Sequence, residues 1–139
     1  MSNFTQLAGQ YIATWNETDP SARRALIDKI WAEDGRYTDP LAEVTGRDQI
    51  DAVIAAAQAQ FAGMTFRLAS AVDAHHDQAR FTWALGPDGA DAVVIGFDVA
   101  QRGHRWAADA DAGLPRQGAN AMSIVQPSRL DARQPAKRR

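Results

Sequence analysis

Three polar side chains in this 139-residue chain stand where apolar neighbours should be closing around a cavity: Tyr11, Asp39 and Asp98. A phenol and two carboxyls are the residue types of acid–base work, since one can donate to a developing oxyanion while another takes up and returns a proton. Tyr11 lies on the stripe Leu7, Tyr11, Ile12, Trp15, whose helical spacing turns the phenol inward. Asp98 sits in the apolar run from Val93 to Val99, where a carboxyl is either exposed at a strand end or buried for a reason. Asp39 precedes Pro40, a pairing that also reads simply as a turn. With apolar surroundings, the three together suggest proton chemistry on a greasy small molecule.

The elements that must position them follow from periodicity. A first helix is expected from about Phe4 to Glu17, and a second begins at Asp19-Pro20, with the aspartate capping free amides and proline at the first helical position. Leu26, Ile27, Ile30 and Trp31 form its apolar stripe, and Glu33-Asp34-Gly35 stops it. A short strand around Arg36 to Thr38 leads to Asp39, and Ile50, Val53, Ile54, Ala57 and Phe61 mark a third helix ending at Gly63. From Met64 the period becomes two. Met64, Phe66 and Leu68, then Phe81, Trp83 and Leu85, alternate as in antiparallel strands, with Pro87-Asp88-Gly89 as a turn. His75-His76-Asp77 falls between strands and reads as a water-facing turn rather than a metal or catalytic cluster. Arg80 reads as an exterior partner of Asp73 or Asp77.

Helix, helix, short strand, helix and then consecutive strands is an α+β order, expected to give a cone-shaped curved antiparallel sheet wrapped around three N-terminal helices. The residues Tyr11-x3-Trp15-Asn16-Glu17-x-Asp19, Tyr37-Thr38-Asp39-Pro40, Gly46 and His75-His76-Asp77-x2-Arg80-Phe81-x-Trp83 carry a resemblance. Over residues 1 to 100 the chain resembles the nuclear transport factor 2-like superfamily, in its SnoaL-like bacterial branch. That fold hosts isomerases, cyclases, dehydratases, epoxide hydrolases and proteins without chemistry. The nearest chemical likeness is to ketosteroid isomerase. It implies that Tyr11 and a protonated Asp98 form an oxyanion hole while Asp39 shuttles the proton. Polyketide cyclase-like chemistry on a hydrophobic carbonyl compound is equally compatible with the resemblance. The competing reading is a non-catalytic module that binds a hydrophobic ligand or dimerises. In both readings Trp15, Phe61, Phe81, Trp83, Leu85 and Val94 are the expected wall of the site.

The length gives one domain and one site. There is no cysteine, which removes disulfides, thiolate nucleophiles and sulfur-ligated metals, and no metal or cofactor is expected. The N-terminus lacks the basic and long apolar regions of a secretory signal and no segment reaches membrane-span length, so a cytoplasmic protein without membrane contact is expected. Residues 1 to 100 carry 7 Lys/Arg against 14 Asp/Glu, whereas residues 101 to 139 carry 8 against 3. An acidic body argues against a nucleic-acid partner, and Lys137-Arg138-Arg139 has no interleaved aromatic, so it reads as a solvated tail. A homodimer is expected through the sheet, because Val93, Ile95, Phe97 and Val99 would form an apolar outer stripe.

The C-terminal part departs from the resemblance. From Gln101 to Gly113 alternation is lost, and the bias towards Ala, Arg, Asp, Gly and Pro is that of GC-rich DNA read in a wrong frame. Displacing a back-translation of residues 101 to 115 by one base permits an Asp-Gly-Arg turn followed by an apolar strand, with the glycine forced by Trp106-Ala107. A frameshifted product is therefore one reading of this region. The division expected is a body over 1–100 and an anomalous, basic, poorly ordered tail over 101–139, with last strands missing or irregular. Only a short element near Ala121 to Val125 is expected there, leaving the edge beside Val93 to Ala100 poorly covered.

Overall fold

A computed structural model describes residues 3–102 and 122–131. Three helices come first: α1 (Asn3–Asn16), α2 (Pro20–Ile30) and α3 (Arg47–Gln60). Between the last two lie the short strands β1 (Arg36–Thr38) and β2 (Glu43–Thr45). The rest is β3 (Met64–Leu68), β4 (Asp73–His75), β5 (Gln78–Pro87), β6 (Val94–Arg102) and β7 (Met122–Asp131). No helix among the described residues is long and apolar enough to cross a membrane.

Local chemistry explains the helix boundaries. Asp19 accepts from the Ala22 amide at 2.8 Å as the N-cap of α2, with Pro20 behind it; such a cap is worth about 1 kcal/mol. The end of α1 is tied to the sheet by Asn16, whose amide donates to the Phe66 carbonyl (2.9 Å) while its oxygen accepts from the Phe66 N–H (2.7 Å). The nearly buried Arg23 of α2 reaches Asp51 (2.7 Å) and Gln58 (2.9 Å) of α3. Gln58 in turn donates to the Trp15 and Glu17 carbonyls. These bonds knit the three helices into one wall.

The strands form a single sheet in the order β2-β1-β7-β6-β5-β3, with β4 also beside β5. Every pairing is antiparallel except β1 with β7, which is parallel, so the sheet is mixed and unclosed. The α+β cone expected from the element order is present. Two short strands were not foreseen: β2, between Asp39 and the third helix, and β4, which brings His75 into a hairpin with β5. His75 lies at the exposed edge with Nε2 3.0 Å from Asp73, and His76 turns the chain at φ 54°. Arg80 lies over the Phe97 ring at 4.4 Å.

Of the expected missing or irregular last strands, β7 corrects the first and bears out the second, since its register with β6 shifts between Phe97 and Val99. It pairs with β6 from Arg102↔Met122 to Val94↔Asp131 and with β1 at Tyr37↔Ile124, so the edge of β6 is covered. The inner residues Met122, Ile124 and Gln126 are buried in alternation, and Met122 also meets Trp31 and Ala32 at the end of α2. Two fully buried apolar side chains and a ladder on each side compensate for the sparse apolar content around them. Residues 103–121 and 132–139, and with them most of the region read as a possible frameshift, lie outside the described residues.

Register sets the inner face. Phe81, Trp83 and Leu85 of β5 and Val94, Gly96, Asp98 and Ala100 of β6 point inward. Val93 was expected on the outer stripe, but it joins the core because it precedes β6 at the turn. Ile95 and Val125 are the exposed large hydrophobics of β6 and β7.

Gly96 faces Trp83 across the ladder, and a Cβ there would lie 2.4 Å from the indole ring. Gly9, exposed on α1, has nothing within 4 Å of an added Cβ. The same chemical change should therefore have opposite signs. Gly96→Ala should destabilise the fold by about 1–3 kcal/mol, whereas Gly9→Ala should stabilise it by about 0.5–1 kcal/mol through backbone entropy. Urea unfolding midpoints compare the two directly.

Candidate functional site

The concave face of the sheet and the helices above it enclose a cavity of about 180 Å³. Tyr11, Asp39 and Asp98 all line it, so α1, the loop after β1 and the middle of β6 converge on one space. Trp15, Phe61, Trp83, Leu85 and Val94, expected as its wall, line it too. Phe81 is corrected: it is buried but does not line the cavity, because its ring is spent packing edge-on against Tyr11, centroids 5.5 Å apart.

The polar end centres on Asp98, which is fully buried. Its Oδ2 accepts from the Tyr11 hydroxyl at 2.5 Å, and its Oδ1 accepts from the Trp83 indole N–H (3.1 Å) and the Gln126 amide (3.0 Å). All three of these donors are neutral. Burial comes first in holding the Tyr11 phenol well above its ordinary pKa of 10.0; the charge of Asp98 comes next, then Tyr37 and the hydrogen bond to Asp98, while the Trp15 indole acts the other way. Tyr11 therefore remains a protonated donor.

Asp39 stands at the half-buried side. Its Oδ1 accepts from the Leu41 and Ala42 amides (2.8 and 2.7 Å), closing the loop on itself, and its Oδ2 accepts from the Tyr37 hydroxyl at 2.8 Å. Gln126 also approaches the Tyr37 oxygen at 3.4 Å. A polar strip thus runs Tyr11–Asp98–Gln126–Tyr37–Asp39 along walls that are otherwise mostly apolar.

Tyr37 and Gln126 are the polar members that sequence reasoning passed over. Tyr37 carried a signal, since it alternates inward two residues before Asp39. Gln126 carried almost none. It reaches Asp98 because β7 bulges: between Phe97↔Ser128 and Val99↔Val125, Asp98 alone opposes both Gln126 and Pro127. Proline has no N–H for a ladder and is admissible at such an irregularity. The helix side adds Ile12, Val53, Ala56, Ala57 and Gln60, all from elements foreseen as amphipathic.

A raised phenol pKa has a measurable consequence. Because the folded value exceeds the ordinary 10.0, the stability it represents is fully present below pH 10.0 and is lost as pH rises through the folded value. Of the two tyrosines, Tyr11 should contribute no ionisation step near pH 10.0. Ultraviolet difference spectra of wild type and Tyr11→Phe should coincide there and separate only at higher pH. A wild-type step near pH 10.0 that the variant lacks would contradict this environment.

Comparison with known proteins agrees with this architecture. The profile of the SnoaL-like domain matches residues 8–110. A structure from Agrobacterium tumefaciens, provisionally designated an isomerase of the SnoaL-like family, is 33% identical with a TM-score of 0.73, over 88% of this chain and 93% of that one. More distant structures share the fold alone. A protein from Sinorhizobium meliloti, provisionally designated a polyketide cyclase, is 10% identical with a TM-score of 0.59, covering 87% of this chain and 93% of that one. A protein from Catenulispora acidiphila with a ketosteroid isomerase-like fold, solved with trimethylamine, is 20% identical with a TM-score of 0.58, covering 86% and 82%. No curated protein matches significantly. The match over residues 8–110, and the Agrobacterium relative over most of both chains, establish that this chain belongs to the SnoaL-like family and has its NTF2-like α+β cone fold.

Proposed function

We propose that this protein binds a small apolar carbonyl compound in its cavity and moves a proton between two of the ligand's carbon atoms, an isomerase-type reaction whose enolate is also the nucleophile that a cyclase-type ring closure needs. The observation that carries this reading is the placing of a phenol–carboxyl pair, Tyr11 and Asp98, and a second carboxyl, Asp39, on the wall of one mostly apolar cavity. In this reading the ligand's carbonyl oxygen meets the Tyr11 hydroxyl, and Asp98, whose oxygens otherwise accept, becomes a second donor when it takes up a proton. Asp39 removes the proton from the carbon next to the carbonyl. The electron pair moves to oxygen, where preorganised donors in a water-poor site stabilise it, and Asp39 returns the proton to a different carbon. The hydrogen bonds from Tyr37 and two loop amides hold the Asp39 carboxyl in place. The isomerase designation of the 33%-identical Agrobacterium protein supports the same class.

A non-catalytic ligand-binding role is favoured by one specific observation: Tyr11 and Asp98 bond each other at 2.5 Å, and both Asp39 oxygens accept from donors of the protein itself. The two readings separate experimentally. With a single-ring β,γ-unsaturated ketone, Asp39→Asn should lower kcat by about 10²–10⁴, and Tyr11→Phe should lower it by about 10²–10³ as the loss of an oxyanion donor. Binding of a phenol, an analogue of the enolate, should survive Asp39→Asn. Phenol binding without turnover in wild type would select the binding module.

We also propose that two copies associate through the outer face of the sheet, where Ile95 and Val125 are 36% and 48% exposed. Light scattering at micromolar concentration should give the dimer mass, and Ile95→Lys should return it to that of the monomer.

A further inference from the structure

The deep end of the cavity is built so that it does not enlarge. Trp83 lines it, and the indole is fixed on three sides: its ring crosses Gly96, where even a Cβ would come within 2.4 Å, its edge meets Phe66 at a centroid distance of 5.4 Å, and its N–H is bonded to Asp98 at 3.1 Å. A rotation that widened the cavity would break the bond to Asp98 and leave a buried acceptor short of a donor. Trp15, beyond the shared Phe66 ring, packs on Tyr11 at 6.1 Å, Tyr37 at 5.5 Å and Phe66 at 5.5 Å. The aromatic walls next to the polar pair thus lock one another.

The cavity, which opens on the side of Leu41, has a volume of about 180 Å³. An engineered apolar cavity of about 150 Å³ takes up one benzene molecule. The space beside Tyr11 and Asp98 therefore suits one six-membered ring with a carbonyl or hydroxyl group, and a fused second ring has to extend from there past Trp83 and Trp15 toward the open side.

We propose that this protein is selective for single-ring carbonyl or phenolic compounds over fused polycyclic ones, and that Trp83 is the residue that sets the limit. This rests on the cavity being the ligand site, as in the proposed function, but not on any proton transfer. Trp83 acts twice, since the same indole that limits the ring size holds the Asp98 carboxyl. Ligand size and the polar end are consequently linked through one side chain.

The test is calorimetric binding of phenol and 2-naphthol to wild type and to Trp83→Phe. Water solubility alone favours naphthol, whose larger apolar surface should bind more tightly in any site that accepts it. Wild type should nevertheless bind phenol at least tenfold more tightly than 2-naphthol. Trp83→Phe, with one ring fewer at the deep end, should improve 2-naphthol relative to phenol by tenfold or more. Wild type that binds 2-naphthol as tightly as phenol would overturn the size limit while leaving the cavity as the ligand site. Wild type that binds neither would overturn the cavity reading with it. An unchanged ratio in a Trp83→Phe protein with a native circular dichroism spectrum would remove Trp83 as the determinant. The wild-type comparison decides the size limit even if the variant does not fold.

Discussion

A carboxyl group with no exposure, placed in the middle of an apolar strand, is the constraint from which much of this structure follows. Removing Asp98 from water is costly unless its oxygens find donors. Among the described residues three donors meet them, from three different elements: Tyr11 of α1, Trp83 of β5 and Gln126 of β7. Each donor brings a requirement of its own. Trp83 reaches Asp98 only because residue 96 has no side chain, and Gln126 sits opposite only because β7 bulges at Pro127. A buried polar network is valuable when complete and damaging when partly satisfied. The same group thus specifies how the first helix, the central hairpin and the last strand meet.

That arrangement makes the cavity two-sided. Polar groups come largely from the sheet and from the loop after β1, with Tyr11 and Gln60 added by the helices, while α3 and the residue after it supply Val53, Ala56, Ala57 and Phe61. The apolar wall lowers the local dielectric and strengthens whatever charge develops beside Tyr11 and Asp98. The Asp39 loop stands on the half-buried side, where Leu41 is 80% exposed. One acid–base group is therefore sheltered and the other lies closer to solvent, a division that suits distinct roles for chemically identical side chains.

The helical wall is held independently of the site. Arg23 joins α2 to Asp51 and Gln58 of α3, and Gln58 continues to the carbonyls at the end of α1. Arg47 donates from the start of α3 to the Trp31 carbonyl at the end of α2. These bonds close main-chain carbonyls that the helix ends leave open. They also keep α3 across the mouth without using any side chain that faces the cavity from the sheet.

Much of this was legible in the linear chain, and the reason is that the signals were local. Asp19-Pro20 marks a helix start because capping needs only adjacent residues, and the alternation of Phe81, Trp83 and Leu85 gives an inner face because the pleat repeats every two residues. Tyr11, Asp39 and Asp98 stood out as polar groups within apolar patterns, and all three line the cavity. What the tertiary structure alone decided depends on pairing between distant segments. Phe81 and Trp83 have the same periodicity, yet one supports Tyr11 and the other faces the cavity. The stretch after Ala100 showed no alternation over its first residues, so of β7 only a short element near Ala121 to Val125 was legible; its length and place follow from open ladders on β6 and β1, which exist only once the sheet has formed. Gln126 is the extreme case: nothing in its neighbours marks it, and a bulge set by register brings it to Asp98. The sequence determined which residues were able to do chemistry, and the register of strands far apart in the chain determined which of them meet.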